Sequence, residues 1–259
     1  MSSATVLHIT SKDNPVLQRL RKLSQDGGAY RKLGSVWLEG DHLVRACLQR
    51  GHAVTQAVLT EAAAADPALR ALAEAAPRML VVPLALFKTI SGLESPAQIG
   101  FEVPHAAGQA LTPGLDSVVL DRLQDAGNVG TILRSAAAFG FRQVLALKGT
   151  AALWSPKVLR AGMGAHFGLR LIEGLAPADL DALAAPLIAT SSHAEKQLHQ
   201  IVLPQPCAWV MGHEGQGVQA ELMARCALTV GIPQPGGEES LNVGSAAAIC
   251  LYESARQRL

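Results

Sequence analysis

The fold of the second half of the chain is decided by residues 120–134, which read LDRLQDAGNVGTILR. The apolar run 117–121 predicts a buried strand, and the apolar spacing after Asn128 predicts a helix that ends near Phe139. A turn bracketed by Gly127 and Gly130 joins the two elements. A buried strand that leads through a short turn into a helix is typical of an α/β sheet.

A second unusual segment is VMGHEGQGV, residues 210–218. Its three glycines follow a predicted buried strand, 208–211, and would let the backbone come close to a ligand. The spacing matches neither a dinucleotide fingerprint nor a phosphate-binding P-loop. Glu214 is therefore either a charge at the start of a helix or an active-site carboxylate.

The third segment is IPQPGGEESLNVG, residues 232–244, which runs into a predicted terminal helix, 240–258. Ser240 is a natural N-cap for that helix. Asn242 has a low helix propensity, which suggests that its side chain has another task. The small face formed by Gly244, Ala247, Ala248 and Leu251 suits close helix packing, and we expect its partner to be another subunit.

Two side chains of the first segment have competing interpretations. Asn128 is either the N-cap of its helix or a site residue. Arg134 projects from the polar side of that helix, opposite Val129, Ile132 and Leu133, where a phosphate or a ribose could approach. The alternative for Arg134 is an ordinary surface charge.

Strands and helices alternate along the whole chain, which predicts mainly parallel sheets in two α/β domains, 1–108 and 109–259. The proline-containing stretch 104–114 is the best candidate linker. The first domain is predicted to contain helices after Asn14 and Asp41, an Ala-rich helix over 61–76, and strands at 36–39, 54–59, 79–82 and 98–103. The second adds strands at 143–147, 169–172, 187–190 and 228–230 and helices at 156–161 and 218–225.

The formal net charge of +1 hides two basic regions. Residues 1–60 carry eight Lys or Arg against four Asp or Glu, and residues 126–172 carry six basic side chains and no acidic one. A polyanionic partner would explain both regions, although solvated faces are the alternative.

No apolar run is long enough to span a bilayer, and the start lacks the blocks of a signal peptide, so we expect a cytoplasmic protein. The cysteines at 47, 207, 226 and 250 lack metal-ligand spacing and are interpreted as reduced and buried, and we expect no metal.

Together the three segments, over 120–141, 210–218 and 232–253, resemble the signature blocks of the SpoU/TrmH family of SPOUT RNA 2′-O-ribose methyltransferases. Residues 157–165 resemble a weaker fourth block, and Trp37-Leu38-Glu39-Gly40 resembles part of the family's small substrate-binding domain. The chain departs from the family at Ala126 (usually Pro), Gly162 (often Ser), His213 (usually Ser) and Gln234 (usually Met).

The resemblance implies a small α/β RNA-binding domain followed by an α/β trefoil-knot domain. It implies that S-adenosylmethionine (AdoMet) binds at Gly212, Ile232 and Leu241, with Gly217 and Val243 beside them. Arg134 is implied to act on the ribose 2′-hydroxyl, with Asn128, Glu214, Ser240 and Asn242 completing the catalytic site.

The resemblance also implies a homodimer and an RNA substrate. Ribosomal RNA is the first choice and transfer RNA stays open. A knotted RNA-binding module without turnover is the competing class of function, and a nucleotide-dependent oxidoreductase is disfavoured because the expected glycine fingerprint is absent.

Overall fold

The computed structural model describes residues 5–106, 108–236 and 240–259. The chain forms two compact units. The first contains residues 1–107 and 154–167, and the second contains residues 108–153 and 168–259. The segment 154–167 thus belongs to the first unit, although the sequence suggested that it continues the second domain.

The first unit has a five-stranded sheet with the order β1-β4-β3-β5-β2. Its strands are β1 (Thr5–His8), β2 (Ser35–Glu39), β3 (Gln56–Thr60), β4 (Arg78–Val82) and β5 (Ile99–Pro104). Its first six helices are α1 (Pro15–Gln25), α2 (Ala29–Leu33), α3 (Asp41–Gln49), α4 (Glu61–Ala65), α5 (Pro67–Ala73) and α6 (Leu84–Ile90).

This sheet is mixed rather than mainly parallel. Strand β5 runs antiparallel to both of its neighbours, β3 and β2. An alternating strand-helix sequence pattern indicates which residues face the core, but it does not encode the direction of each strand. The prediction of strand direction was therefore wrong for β5, and β1, α2 and α6 were not predicted.

The predicted helix over 61–76 is broken in two by a single dipeptide. Pro67 cannot continue a helix because it lacks a backbone N–H and clashes with the preceding turn. Asp66 instead caps α5, since its side chain accepts hydrogen bonds from the backbone N–H groups of Ala68 (2.8 Å) and Leu69 (3.3 Å).

The second unit has a six-stranded sheet with the order β11-β9-β10-β6-β7-β8, in which every described pairing is parallel. Its strands are β6 (Ser117–Leu120), β7 (Gln143–Leu147), β8 (Arg170–Leu175), β9 (Leu187–Thr190), β10 (Ala208–Met211) and β11 (Leu228–Val230). Its helices are α7 (Ala126–Ala138), α9 (Ala220–Ala224) and α10 (Val243–Arg256), while α8 (Pro156–Gly162) belongs to the first unit. The predicted α/β class is confirmed.

The first turns of α7 and α10 differ from the predictions. Helix α7 begins two residues before Asn128, and its N-cap is Asp125, whose side chain accepts from the Asn128 backbone N–H at 2.7 Å. Helix α10 begins at Val243 and is capped by Asn242 rather than Ser240. Asp and Asn are at least as good at the N-cap as Ser, so sequence alone could not choose among neighbouring candidates.

The small-residue face of α10 packs within this chain. Gly244, Ala247 and Leu251 are buried, and α10 lies against α7 so closely that a Cβ on Gly244 would be 3.2 Å from Cγ2 of Thr131. The prediction that this face meets another subunit is therefore wrong. The apolar side chains that α10 exposes are instead Ile249 and Tyr252.

The four cysteines are free thiols, and all but the half-buried Cys226 are buried. Burial raises the pKa of Cys47, Cys207 and Cys226 to about 11 in each case. At neutral pH these thiols stay protonated and are poor nucleophiles and poor ligands. No described helix is both long and apolar enough to cross a membrane.

One buried hydrogen bond joins α10 to β10, an inner strand of the second sheet. The indole Nε1–H of Trp209 on β10 donates to Oγ of Ser254 at 2.8 Å, and both side chains are buried. The Ser254 hydroxyl in turn donates to the Cys250 carbonyl at 3.0 Å. Ser254 is therefore the polar partner that a buried indole requires.

We expect Ser254→Ala to lower the free energy of unfolding by about 1–3 kcal/mol, because the Trp209 N–H would be left buried without an acceptor. Thermal unfolding should show a lower Tm, whereas Ser245→Ala on the exposed side of the same helix should change it little. An unchanged Tm for Ser254→Ala would contradict this account.

Candidate active site

The three segments singled out in the sequence meet at one edge of the second sheet. Strands β6, β9, β10 and β11 are parallel neighbours, so the segments that follow them leave from their carboxyl ends side by side. Residues 121–125 follow β6, residues 212–219 follow β10, and residues 231–236 follow β11. Open α/β sheets bind ligands in the crevice at this edge.

The segment after β10 is a tight hairpin. His213 and Gly217 exchange two backbone hydrogen bonds of 3.0 and 2.8 Å. Nδ1 of His213 accepts from the N–H groups of Gly215 (3.0 Å) and Gln216 (3.3 Å), which fixes the turn from inside. At Gly212 a Cβ atom would lie 2.2 Å from the nitrogen of Val218, so only glycine fits.

Glu214, Asn128 and Asn242 form one hydrogen-bonded chain. Nδ2 of Asn128 donates to Oε1 of Glu214 at 3.2 Å, and Nδ2 of Asn242 donates to Oδ1 of Asn128 at 2.9 Å. An ionised carboxylate only accepts hydrogen bonds, so Asn128 must turn its amino group to Glu214 and its oxygen to Asn242. The direction of each hydrogen bond is therefore determined by the one before it.

The Asn242 side chain completes this row of hydrogen bonds and also caps α10. Its amino group serves Asn128, and its Oδ1 accepts from the N–H groups of Gly244 (2.9 Å) and Ser245 (3.2 Å). The suggestion that Asn242 has a side-chain task is thus confirmed, although capping is part of that task. The capping interpretation of Asn128 is wrong because Asp125 fills that position.

The Glu214 carboxylate joins the segments after β6 and β10. Besides the Asn128 amide it accepts from the backbone N–H groups of Gln124 (3.4 Å) and Asp125 (3.2 Å). Partial burial raises its pKa, but hydrogen bonds from its own backbone N–H, the Asn128 side chain, Asp125 and Gln124 outweigh that effect and lower the pKa below its ordinary value. Glu214 is therefore ionised at neutral pH, and the interpretation as a charge at a helix start is wrong because α9 begins only at Ala220.

Arg134 lies on α7 with its side chain exposed, on the side of the helix that also exposes Thr131 and Ala138. Val129, Ile132 and Leu133 are buried on the other side, as the spacing predicted. Over residues 5–106, 108–236 and 240–259, no hydrogen bond or ion pair of its guanidinium is found. A surface arginine without a partner is available to a bound anion.

A cavity of about 160 Å³ has Leu241, the residue before Asn242, in its lining, and so lies beside the Glu214–Asn128–Asn242 hydrogen-bond network. Its lining residues are Thr190, Ser191, Ser192, Ile232, Gln234, Ser240, Leu241 and Ala246. It thus brings together Ser240, Ile232 and Leu241 of the predicted site. The other predicted cofactor residues, Gly212, Gly217 and Val243, are absent from this lining. Residues 237–239 of the predicted loop lie outside the described residues.

The cavity fits part of a nucleoside-like cofactor. Ile232, Leu241 and Ala246 are apolar, and Ser191, Ser192 and Gln234 supply polar groups. Within the described residues, the buried Oε1 of Gln234 has no hydrogen-bond donor, which suits a ligand N–H or O–H. Its volume is below the roughly 300 Å³ of a whole small-molecule pocket, so a complete cofactor would extend beyond it.

Some residues of the site were missed in the sequence. The 190–192 segment has no glycine signature and is found only because β9 is the sheet neighbour of β10. Asp125 was missed because Asn128, three positions later, is an equally good capping residue. No group of three or more His, Cys, Asp or Glu side chains in the described part of the chain could hold a metal ion.

The fold and the site define an α/β protein whose candidate ligand cavity and glycine-rich hairpin both follow the carboxyl ends of parallel strands. The model of the SpoU rRNA Methylase family matches residues 117–252. The chain therefore belongs to the SpoU rRNA methylase family, and the family predicted from the sequence is confirmed.

Individual proteins are similar over nearly the whole chain. An uncharacterized tRNA/rRNA methyltransferase of Synechocystis is 32% identical, over 99% of this chain and 96% of its own length. A 23S rRNA (guanosine(2553)-2′-O)-methyltransferase of Bacillus subtilis is 30% identical, over 85% of this chain and 88% of its own. The crystal structure of an AdoMet-bound rRNA methyltransferase from Sinorhizobium meliloti has a TM-score of 0.85 at 26% identity, covering 98% of this chain and 99% of that one.

The two functions of Asn242 can be separated by substitution. We expect Asn242→Asp to keep the helix cap, since Asp caps as well as Asn, but to lose the donor to Asn128. Asn242→Ala should lose both and should cost about 1 kcal/mol of stability. Methyl transfer and thermal unfolding should therefore show the Asn242→Asp protein as stable and impaired; normal activity in that variant would contradict the network.

The low pKa of Glu214 provides a second test. Removing one donor with Asn128→Ala should raise the pKa of Glu214 towards its ordinary value, which ¹³C NMR titration of the side-chain carboxyl would measure. Because the folded-state pKa is depressed, the stabilisation from this ionised group is present above the ordinary glutamate pKa and is lost as the pH falls through the depressed value. Asp125→Ala, which removes only the helix cap, should lower stability with a smaller effect on this titration.

Proposed function

We propose that this protein transfers the methyl group of AdoMet to a ribose 2′-hydroxyl of ribosomal RNA. The single observation that carries the proposal is the Glu214–Asn128–Asn242 network beside a partly apolar cavity, in a chain of this family. The enzyme class, the reaction and the cofactor predicted from the sequence are confirmed by relatives named as 2′-O-methyltransferases and by an AdoMet-bound structural neighbour.

Bound AdoMet supplies an activated methyl group, so the protein has to align the acceptor oxygen and ease the loss of its proton. Arg134 is suited to the acceptor because its exposed guanidinium lacks a partner among the described residues. A guanidinium stays protonated in proteins and is a poor base. We assign Arg134 to stabilising the negative charge that develops on the 2′-oxygen and to holding the adjacent phosphate.

The remaining residues of the proposed catalytic set position the acceptor. Glu214 orients the Asn128 amide by accepting from its amino group. Asn242 orients the same amide from the other side by donating to its oxygen. Ser240 lines the cavity and presents a hydroxyl next to Leu241. As the methyl group leaves the sulfonium for the 2′-oxygen, the hydroxyl proton passes to solvent water and S-adenosylhomocysteine is the second product. None of these side chains then has to change its protonation state.

The cofactor is assigned to backbone and small apolar groups. Ile232 and Leu241 line the cavity, and Gly212 lets its own hairpin pack closely, since a Cβ there would collide with the backbone of Gly217 and Val218. Gly217 has a φ of +67°, a conformation that favours glycine. Val243 is assigned a supporting contact at the start of α10.

We further propose that the second unit forms a trefoil-knotted catalytic domain and that the first unit docks the RNA. The basic excess of residues 1–60 supports a docking function, because phosphates are bound mainly by Lys and Arg. We place the protein in the cytoplasm, together with its ribosomal RNA substrate. Transfer RNA is the second candidate substrate, supported by the name of the Synechocystis relative.

A homodimer is the proposed assembly. Ile249 and Tyr252 expose 39% and 53% of their surface on α10, one helical turn apart, and Tyr252 packs edge-on against Phe139 at a ring-centroid distance of 5.7 Å. Exposed large apolar side chains next to each other on one helix suit a subunit interface. Sedimentation at several protein concentrations tests the assembly.

We expect Arg134→Ala to lower methyl transfer by about 100-fold to 1000-fold, because one preorganised donor to a developing oxyanion is lost. Transfer of tritium from labelled AdoMet into RNA measures the loss, and AdoMet binding by calorimetry should be nearly unchanged. Arg225→Ala, whose ion pair with Asp181 lies elsewhere in the second unit, is the matched control. An active Arg134→Ala enzyme would remove the assigned mechanism.

The substrate is tested by mapping 2′-O-methylated nucleotides in cells with and without the gene. Loss of a single position in ribosomal RNA would support the proposal, and loss in transfer RNA would favour the second substrate. Stoichiometric AdoMet binding without any methylated product would favour the competing class, a binding module without turnover.

A further inference from the structure

We infer that Asp121 and Arg122 form a positioning clamp that sets the 212–219 segment, and with it Glu214, relative to strand β6. The inference deepens the proposed function, on which its activity measurements rest. Neither residue was among the predicted site residues, and neither contacts the cavity.

Asp121 is a fully buried carboxylate at the carboxyl end of β6. Its Oδ2 accepts from the backbone N–H of Gln219 at 2.7 Å, and its Oδ1 accepts from Nε of Arg122 at 2.9 Å. Its own backbone N–H donates to the Met211 carbonyl at 2.8 Å. A buried charge requires partners of this kind, and here all of them belong to the edge that carries the site.

Arg122 extends the clamp to the tip of the hairpin. Its Nη1 donates to Oε1 of Gln216 at 3.1 Å while its Nε holds Asp121. The rigid fork of a guanidinium can serve both partners at once, which a lysine ammonium cannot. The segment is therefore held at Gln216 by Arg122 and at Gln219 by Asp121. Glu214 lies two residues before Gln216.

The backbone of Arg122 supports a functional interpretation. Its φ is +58°, in the left-handed region that a residue with a Cβ rarely adopts. Gly149 gives it space, since a Cβ at that position would be 3.3 Å from Cγ of Arg122. Unfavourable backbone conformations that are held in place by surrounding contacts cluster at functional sites.

The clamp has a consequence for Glu214 that a purely stabilising contact would lack. Two backbone donors of Glu214 belong to Gln124 and Asp125, two and three residues after Arg122 on the β6 side, whereas Glu214 itself is on the β10 side. When the hairpin tip is released, only the Asp121–Gln219 contact and the Glu214 hydrogen bonds still join the segment to the β6 side, and the Glu214 hydrogen bonds lengthen. The carboxylate then titrates closer to its ordinary range. The charged and titratable residues on the two segments that hold Glu214 are His213 on its own hairpin and Asp121, Arg122 and Asp125 on the β6 side.

The experiment compares Arg122→Ala, Arg122→Lys and Gln216→Ala in the full-length protein. We expect Arg122→Ala to lower kcat about tenfold, the effect of losing a charge-assisted hydrogen bond, with an unchanged dissociation constant for AdoMet. Arg122→Lys should keep the folding stability, because it still neutralises Asp121, but should not restore kcat. Gln216→Ala is expected to fold normally, since Gln216 is exposed, and to lower kcat in the same direction.

The ¹³C titration of Glu214 is the measurement that does not depend on activity. All three variants should raise its pKa, and Arg225→Ala, which breaks an ion pair of similarly exposed arginine elsewhere in this unit, should leave it unchanged. The inference is overturned if Gln216→Ala and Arg122→Lys both retain the wild-type kcat and Glu214 titration. If the wild-type protein transfers no methyl group to RNA, the proposed function fails, while the titration still decides whether the clamp exists.

Discussion

A carboxylate cannot donate a hydrogen bond, and at Glu214 this restriction determines the arrangement of the whole site. It makes Asn128 present its amino group on one side and its oxygen on the other, so Asn242 must offer its own amino group. The oxygen left over on Asn242 then starts α10. Three segments that are far apart in the chain are thereby held in a single relative placement, which the parallel neighbours β6 and β10 bring within reach.

The site divides its work between backbone and side chains. The cavity presents hydroxyl, amide and apolar groups, which suit the uncharged nucleoside part of a cofactor. The charged residues lie outside the cavity lining. Glu214 and Asp121 accept hydrogen bonds from within the protein, while the Arg134 side chain is exposed. An acceptor that carries phosphates would meet the exposed positive charge without competition from the two carboxylates.

The residues of the site were easier to predict from the sequence than their hydrogen bonds. The glycine-rich segments after β6 and β10 and before α10 stand out because ordinary connections lack such backbone. The helix starts were missed by two or three residues, since Asp125, Asn128, Ser240 and Asn242 are all competent caps. The antiparallel direction of β5 and the place of residues 154–167 in the first unit depend on contacts between distant parts of the chain, which local periodicity does not record.

The return of residues 154–167 to the first unit has a consequence for dissecting the protein. Within that unit Nε2 of His52 lies 3.0 Å from the Phe167 carbonyl, Nη1 of Arg160 donates to the Gly92 carbonyl at 3.2 Å, and the Trp154 ring packs at a centroid distance of 5.7 Å from that of His105. The chain therefore crosses between the units three times. Truncation at Gly108 would remove α8 from the first unit and leave it on the C-terminal fragment without its packing partners. Neither fragment is therefore a complete domain.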